Sequence, residues 1–408
     1  MAASQVLSVG IGARGAGPLT AGRTRSGSAR LDSIDLLRGL VIVIMVLDHV
    51  RAFLFLNSPA IEPTDAEHSY LALYFTRWIT HLCAPTFVML AGVSIFLQKC
   101  GGKPLQDLSR FLVTRGLWLL LLEVTIVSFG FNFAEPFFFL QIIWAIGVSM
   151  IAMAVIVRLE PRTVLVVGAL LVALSPTVAA AIPGARENPV GIALLGVGKL
   201  NQWHVAIGYP VLPWLGVMCI GFGLGPLFRL DASERLRTLL PIALALLAGA
   251  VAMRILMAFA PDPQWRVHDE PVRTMMAFLD FGKTPPGPDF VASMLGLSLL
   301  LFLAVEHLRG PAARILRDFG QVPLFAYVSH LYIGHGIALA IATAQGVPQR
   351  AIDTFGHQFW PHGPVQPWGV SLPLTYAIWL ATLAIMIPLT RWFAQIKRSR
   401  RDWWLSYL

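Results

Sequence analysis

The sequence has 408 residues, of which 56% are hydrophobic and only 13% are charged, and its mean hydropathy is +0.68. A soluble protein carries about 25% charged residues, so an ordinary soluble fold is excluded. Its 24 phenylalanines and 12 tryptophans also exclude a disordered chain, because disordered chains are poor in aromatic residues. The composition indicates an integral membrane protein with many spans.

The chain begins with a polar segment over residues 1–30. Four arginines lie there among Gly, Ser and Ala, and no apolar stretch accompanies them. This pattern predicts a disordered basic tail rather than a cleaved signal peptide. We expect a transmembrane domain over residues 31–396 and a short basic and aromatic cytoplasmic tail over 397–408.

Apolar segments of about 20 residues, the length that crosses a bilayer, recur along the rest of the chain. They predict an all-α, polytopic bundle of about ten transmembrane helices. The predicted spans are 36–56, 78–98, 111–131, 137–157, 163–183, 203–226, 239–260, 289–308, 322–345 and 371–395.

The positive charges indicate an orientation for these spans. If the N-terminus is cytoplasmic, the cytoplasmic segments carry 19 Lys and Arg residues and the outer segments carry 7. Because cytoplasmic loops are enriched in Lys and Arg, we predict that both termini are cytoplasmic. The net charge of +9 then reflects topology and attraction to anionic membrane lipids, and no binding of nucleic acid is expected.

The first span carries several ionisable residues, which are costly in a bilayer and therefore candidates for function. Asp48 and His49 lie past its midplane, since they come about 18 Å along the helix. Asp48 and Arg51 are three residues apart and can pair on one helix face. His49 points away from that face. We interpret His49 as a general base, because a neutral imidazole accepts protons near neutral pH, and Asp48 as the residue that sets its tautomer.

The second span runs inward from the outer face and places His81 at a depth similar to that of His49. His81 is therefore an alternative base. Further polar residues fall in the outer half or the middle of later spans, and together with Arg51 they predict a polar cavity that opens outward and binds a substrate. These residues are Glu123, His204, Arg254, His330 and His335.

The third span begins with Arg110 and Arg115 on the cytoplasmic side. Membrane anchoring explains Arg110, but Arg115 lies about one turn deeper. A guanidinium group matches phosphate oxygens in pairs, so Arg115 suggests a cytoplasmic donor that carries phosphate. No metal site is expected, because the histidines follow neither an HExxH pattern nor another ligand spacing.

Several segments resemble known membrane enzymes. IDLLRGLVIVIMVLDHV resembles the first span of the transmembrane acyltransferases, in which Asp-x-x-Arg-Gly is followed by His. From Leu31 to Leu408, the chain is similar to one bacterial branch related to the catalytic domain of heparan-alpha-glucosaminide N-acetyltransferase. The segments that carry this second resemblance are FTRWITHLCAPTFVMLAGVSIFL, FLVTRGLWL, YPVLPWLGV, GKTPPGP and DWWLSYL.

The resemblance implies an all-helical, multi-pass enzyme of the bacterial inner membrane. It would take an acyl group from cytoplasmic acetyl-CoA and deliver it to an amine or hydroxyl of a carbohydrate on the outer side. Arg38, Arg110 and Arg115 would hold the phosphates of CoA, and His49 or His81 would deprotonate the acceptor. The lysosomal enzyme has Asn at the place of His49 and an acidic residue at that of His81, so the base stays open between them.

Other interpretations stay open as well. Direct attack in a ternary complex and an acyl-histidine intermediate are both compatible with the sequence, and so is a homodimer. A transporter with an intramembrane Asp, His and Glu proton relay is the alternative from another class, although no inverted repeat with paired broken spans is visible. A scaffold without chemistry would not explain why so many costly polar groups lie at one depth.

Overall fold

A computed structural model describes residues 32–56, 62–133, 138–185, 187–260, 263–347, 368–400 and 402–407. The basic tail predicted over residues 1–30 lies outside these ranges. The helices are α1 (Asp32–Leu54), α2 (Leu71–Trp78), α3 (Cys83–Cys100), α4 (Leu105–Leu122), α5 (Ser128–Asn132), α6 (Ile142–Ile156), α7 (Pro161–Ala181), α8 (Pro189–Leu195), α9 (Val211–Leu224), α10 (Ala232–Met257), α11 (Pro271–Leu279), α12 (Pro288–Val305), α13 (Pro311–Gln321), α14 (Pro323–Ala344) and α15 (Leu372–Ser399). The strands are β1 (Phe138–Leu140), β2 (Gly198–Leu200) and β3 (Val205–Ile207).

Among the described residues, eight helical segments are long and apolar enough to cross a membrane. They coincide with eight of the ten predicted spans and confirm the prediction of an all-α, multi-span membrane protein. The eight segments are Leu71–Cys100, Leu105–Asn132, Pro161–Ala181, Val211–Arg229, Ala232–Met257, Pro288–Val305, Pro323–Ala344 and Leu372–Ser399.

The other two predicted spans, 36–56 and 137–157, correspond to α1 and α6. Helix α1 is 23 residues long, but its charged residues set it apart from the eight apolar segments. Helix α6 has only 15 residues, because the chain before it forms β1 rather than a further helical turn.

Helix α1 lies at the centre of the bundle. It packs against α3, α12, α13, α14 and α15. Its apolar side chains are fully buried on several faces, including Leu37, Val41, Ile42, Val46 and Val50 at 0% exposure. The helix that carries Asp48 and His49 is therefore held on most sides by protein rather than by lipid.

Two of the apolar segments leave the α-helical conformation along their length. Residues Ile79–Leu82 form a 3₁₀ turn between α2 and α3, and residues Glu123–Val127 form a π-helical turn between α4 and α5. Pro85 contributes to the first irregularity, because it has no N–H to donate to the carbonyl of His81. Such interruptions are frequent at functional sites. His81 and Glu123, both predicted site residues, lie on them.

A small three-stranded sheet was not predicted. Its order is β1-β3-β2, with β1 parallel and β2 antiparallel to β3. The apolar run that forms β1 reads in sequence as the start of a helix. His204 was placed at the start of the sixth span, but it precedes β3 in a left-handed conformation with a φ of 52°. Because β1 and β3 are parallel, Gln141 and Gly208, which follow them, lie at the same edge of the sheet.

Candidate functional site

A cavity of about 480 Å³ lies beside α1. Its wall includes Asp48 and His49 from α1 and His81 from the 3₁₀ turn, together with the residues that follow β1 and β3. The connections over residues 62–64 and 280–284 line another side, which we call the mouth. Glu62 in the mouth is exposed, so the cavity opens to the surface there.

Asp48 lies between two arginines on the wall of this cavity. Its Oδ1 accepts a hydrogen bond from Arg51 at 3.1 Å, and its Oδ2 accepts one from Arg77 at 2.6 Å. Asp48 makes no hydrogen bond to His49, because successive residues of a helix point about 100° apart. The structure therefore differs from the expectation that Asp48 sets the tautomer of His49. Its carboxylate offsets the charge of two guanidinium groups instead, one buried on Arg51 and one half-buried on Arg77.

The partner of His49 is His330 on α14. Nδ1 of His49 lies 2.5 Å from Nε2 of His330, and the two rings are within 8° of parallel with centroids 4.8 Å apart. Nδ1 of His330 lies 3.0 Å from the carbonyl oxygen of Ala326, one turn earlier in α14. His330 is 1% exposed, whereas His49 is only partly buried and faces the cavity.

The wall also presents polar atoms that have no hydrogen-bond partner within the described chain. Each belongs to a side chain that is at most 7% exposed. An unpartnered buried polar group costs about 1–3 kcal/mol, so such a set indicates a place where a polar ligand binds. The atoms are Arg51 Nε, His81 Nδ1, Gln141 Nε2 and Tyr327 Oη.

The mouth combines charges of both signs. Lys283 lies with its Nζ 5.6 Å from the centre of the Tyr209 ring, and Glu62 and Asp280 supply carboxylates. Burial raises the pKa of Asp280 to about 6, which the nearby Arg254 opposes. The charge at the mouth therefore changes in the range just below neutral pH.

The chain that forms this cavity matches the model of a known protein family. The family model described as heparan-alpha-glucosaminide N-acetyltransferase, catalytic, matches residues 30–261, which is more than half of the chain. The chain belongs to this family. Membership confirms the resemblance seen in the sequence and implies an acetyltransferase of the membrane, in a family that uses acetyl-CoA as its donor. No curated protein sequence matches the chain.

The matched region of this heparan-alpha-glucosaminide N-acetyltransferase family member contains α1 and the 3₁₀ turn, hence Asp48, His49 and His81. Tyr327, His330 and the mouth segment 280–284 lie beyond residue 261. The cavity therefore combines groups from inside and outside the matched region.

Glu123 and His330 lie behind the cavity wall rather than on it. Glu123 is 0% exposed, and its Oε1 accepts a hydrogen bond from the backbone N–H of Gln141 at 2.7 Å. Both residues were predicted to bind a substrate. Each instead supports a neighbour that does face the cavity, Gln141 in one case and His49 in the other.

Arg254 is occupied away from the cavity. Its Nη2 and Nε donate to the carbonyl oxygens of Ala277 and Phe278, at 2.8 and 3.0 Å, and its Nη1 lies 3.8 Å from Asp289. These carbonyls lie in the last turn of α11, where they have no partner within the helix. Arg254 thus anchors α11 to α10, and this explains its burial without a substrate.

Two predicted histidines also lie away from the cavity. Nδ1 of His335 donates to the carbonyl oxygen of Gly130 at 3.0 Å, and its ring stacks between those of Phe53 and Phe133. His204 lies in the connection before β3 and does not line the cavity. The polar residues of similar predicted depth therefore do not all converge on one site.

The predicted phosphate-binding arginines lie at the other end of α1. Arg38 donates to Ser94 Oγ and to the carbonyl oxygen of Leu90, and it lies 3.6 Å from Asp35. Arg115 is close enough to Arg38 for the two charges to repel each other. Arg110, one and a half turns earlier in α4, is exposed. Arg38 and Arg115 thus lie within electrostatic range of each other, and Arg110 lies on the surface of the helix that carries Arg115.

Most residues that line the cavity were not among the predicted site residues, and four of the polar ones are Arg77, Gln141, Lys283 and Tyr327. The sequence contained a signal for two of them. Arg77 lies four residues before His81, and Tyr327 lies three residues before His330, spacings that place side chains on one helix face. Within the described ranges, no group of three His, Cys, Asp or Glu side chains is arranged to hold a metal ion.

Proposed function

We propose that this protein transfers an acyl group, foremost acetyl, from cytoplasmic acyl-CoA to an amine or hydroxyl of a carbohydrate acceptor that enters the cavity through its mouth. The observation that best supports this proposal is the hydrogen bond between His49 and His330. It commits one nitrogen of His49 to the protein and leaves the other available to a substrate.

The tautomers of His49 and His330 follow from the carbonyl oxygen of Ala326, which is the acceptor at the end of their chain of hydrogen bonds. The carbonyl oxygen of Ala326 can only accept, so Nδ1 of His330 carries a proton and donates it. Nε2 of neutral His330 is then an acceptor, and Nδ1–H of His49 donates to it. Nε2 of His49 keeps its lone pair, and no described residue bonds to it. This is the form of imidazole that acts as a general base.

The reaction then needs one base and no covalent enzyme intermediate. Nε2 of His49 takes the proton of the acceptor amine or hydroxyl while the acceptor atom attacks the thioester carbonyl carbon. The electron pair of the C=O bond moves to its oxygen. When the C=O bond re-forms, the C–S bond breaks, and the departing sulfur takes the proton from His49. The products are the acylated acceptor and CoA thiol, and a general base of this kind contributes about 10²- to 10⁴-fold.

Arg38 and Arg115 are suited to hold the phosphates of the donor. Their adjacent positive charges repel each other, and an anion between them would remove that repulsion. Eleven residues of α1 separate Arg38 from His49, which is about 16 Å along the helix axis. The extended pantetheine arm of CoA is long enough to cover this distance. Arg110 would add a contact at the cytoplasmic surface.

The proposal places the protein in a bacterial inner membrane with both termini in the cytoplasm and the mouth on the outer side. All the described groups that it uses belong to a single chain, so it does not depend on a homodimer. His81 keeps the role of a second polar group at the cavity wall, where it can bind the acceptor beside His49.

The experiment is acyl transfer by purified protein in lipid nanodiscs, with labelled acetyl-CoA and a panel of amino sugars and neutral sugars. The wild-type protein should label at least one amino sugar. His49→Ala should lower transfer by about 10²-fold or more and leave CoA affinity unchanged, because no donor contact is lost. His307→Ala is the matched control, since His307 is exposed at the end of α12.

Three outcomes would contradict the proposal. Absence of transfer from the wild-type protein would favour the transporter. Full activity of His49→Ala would remove the base from this position. An acetyl adduct on the intact protein, detected by mass spectrometry before acceptor is added, would contradict direct attack on the thioester.

A further inference from the structure

Two hydrogen-bond donors on the cavity wall have no acceptor within the described chain. They are the hydroxyl of Tyr327 and the side-chain amide of Gln141, whose residues are 5% and 7% exposed. Both side chains line the cavity. Nothing in the reaction described so far uses either group.

Tyr327 is held beside the proposed base. It precedes His330 by three residues in α14, and its ring meets the rings of His49 and His330 nearly at right angles, at 77° and 73°. The corresponding centroid distances are 6.3 and 5.4 Å. These edge contacts hold the phenol ring in a defined position beside His49.

The position of Gln141 is fixed through its backbone. It directly follows β1, and its backbone N–H donates to the buried carboxyl group of Glu123 on the π-helical turn. Gln141 also precedes the first residue of α6, so strand, turn and helix all constrain its backbone. The amide of its side chain is therefore presented by a rigid part of the fold.

Both donors line the cavity, and Tyr327 does so beside the proposed base. The mouth, with Glu62, Asp280 and Lys283, lies on loops at the acceptor side. Gln141 is instead linked through Glu123 to α4, and Arg115 lies eight residues earlier in that helix, about 12 Å away along the axis. A donor bound at Arg115 and reaching His49 would therefore pass this part of the wall.

We infer that Tyr327 and Gln141 bind the thioester carbonyl oxygen and stabilise the negative charge that it acquires during acyl transfer. The inference rests on the function proposed above. Both groups donate hydrogen bonds and transfer no proton, so the balance of the reaction is unchanged. Fixed donors in a buried site act strongly on developing charge, because they need no reorganisation when the charge forms.

The test compares Tyr327→Phe and Gln141→Met with the wild-type protein in the nanodisc assay. Each variant should lower kcat by roughly 10²- to 10³-fold, the effect typical of losing one such donor. The KM values for acetyl-CoA and acceptor should change by less than about twofold, since the donors act on the transition state. The melting temperature should not fall, because neither variant removes a hydrogen bond within the described protein.

Tyr332→Phe is the matched control on the same helix. The hydroxyl of Tyr332 donates to the carbonyl oxygen of Ile126 at 2.8 Å. Its removal should lower the melting temperature and leave kcat unchanged, the reverse of the result expected for Tyr327→Phe.

The outcomes separate the inference from the proposed function. If the wild-type protein transfers acetyl, His49→Ala abolishes transfer and both variants keep the wild-type kcat, the inference is overturned and the function stands. A rise in KM alone, or a loss of kcat that parallels a loss of melting temperature, also overturns it. If the wild-type protein transfers nothing, the proposed function itself fails.

Discussion

Nδ1 of His49 in α1 lies 2.5 Å from Nε2 of His330 in α14, although 281 positions separate the two residues in the sequence. His330 does not line the cavity, yet its contact with the backbone of Ala326 determines which nitrogen of His49 carries the proton. His330 is thus a positioning residue for the proposed base on another helix.

We predict that His330→Leu lowers kcat strongly, by roughly 10²-fold or more, because the imidazole of His49 loses the acceptor that holds it in the basic tautomer. His330→Gln keeps an acceptor oxygen and should restore a substantial part of the activity. Steady-state kinetics in nanodiscs, together with CoA binding by calorimetry, check this. Equal activities for the Leu and Gln variants would show that the contact only fills space.

Asp48→Asn is expected to destabilise the protein rather than to remove the base. The substitution leaves Arg51 and Arg77 without the carboxylate that now lies between them. Breaking a fully buried ion pair costs about 3–5 kcal/mol, and this partly exposed arrangement should lose less than that. Thermal unfolding in nanodiscs should show a clear fall in melting temperature. Adding Arg77→Gln to Asp48→Asn should recover part of the loss, and Asp107→Asn, at an exposed carboxylate of α4, should have little effect.

The contact between α1 and α13 depends on two glycines. A Cβ atom on Gly39 would lie 1.9 Å from the carbonyl oxygen of Leu316, and one on Gly320 would lie 1.8 Å from that of Asp35. Such close backbone approach is common where membrane helices pack. Gly39→Ala should therefore lower the melting temperature and the yield of folded protein. Gly249→Ala is the control, because nothing lies within 4 Å of its added methyl group.

Arg115→Gln is expected to weaken CoA binding by roughly tenfold or more, since a charge-assisted contact contributes about 1.5–3 kcal/mol. The protein should still fold, which thermal unfolding checks, because the variant keeps a polar side chain of similar reach at a position that is only half-buried. Calorimetry with CoA checks this, and Arg237→Gln, at an exposed position of α10, is the control. An affinity equal to that of the wild-type protein would place the phosphates elsewhere.

The raised pKa of Asp280 predicts that the stability of the folded protein depends on pH. Burial raises the pKa of this carboxyl to about 6, above its ordinary value of 3.8, while the charge of Arg254 and the Thr64 hydroxyl oppose the rise and Glu62 and Asp65 add to it. The folded protein then binds the proton more tightly than the unfolded chain, so ionisation destabilises the fold as the pH rises through 6.

The melting temperature of the wild-type protein should therefore fall relative to that of Asp280→Asn between pH 4.5 and 7.5. At the acidic end of this range the two proteins should differ least, because Asp280 in the folded protein is then protonated and neutral, as Asn is in the variant. A difference between the two proteins that does not vary with pH would rule out this titration.

The sequence predicted the spans well because the bilayer imposes a length and a composition on each of them. The prediction failed at β1 and β3. Their residues are as apolar as those of a span, but they pair with each other as strands instead of continuing a helix. Gln141 owes its place at the cavity to that pairing. The sequence of a short apolar run does not show by itself whether the run forms a β-strand or part of a helix.

The candidate site was predicted in part. His49, Asp48 and His81 do line one cavity. The sequence identified them as candidates because ionisable groups within a span are costly. Arg254 and His335 are also ionisable residues of predicted spans, yet both donate hydrogen bonds to backbone carbonyl oxygens. The sequence does not show which polar side chain will lie beside such a carbonyl.

The sequence by itself determined a multi-span helical membrane protein and the residue types on which its chemistry can rest, because hydropathy and the cost of buried charge act on each segment separately. Only the tertiary structure decided the partners. Asp48 binds arginines instead of His49, His330 binds His49, and Tyr327 and Gln141 face the cavity. These relationships depend on the distances between helices that are far apart in sequence, and those distances are set by packing around α1.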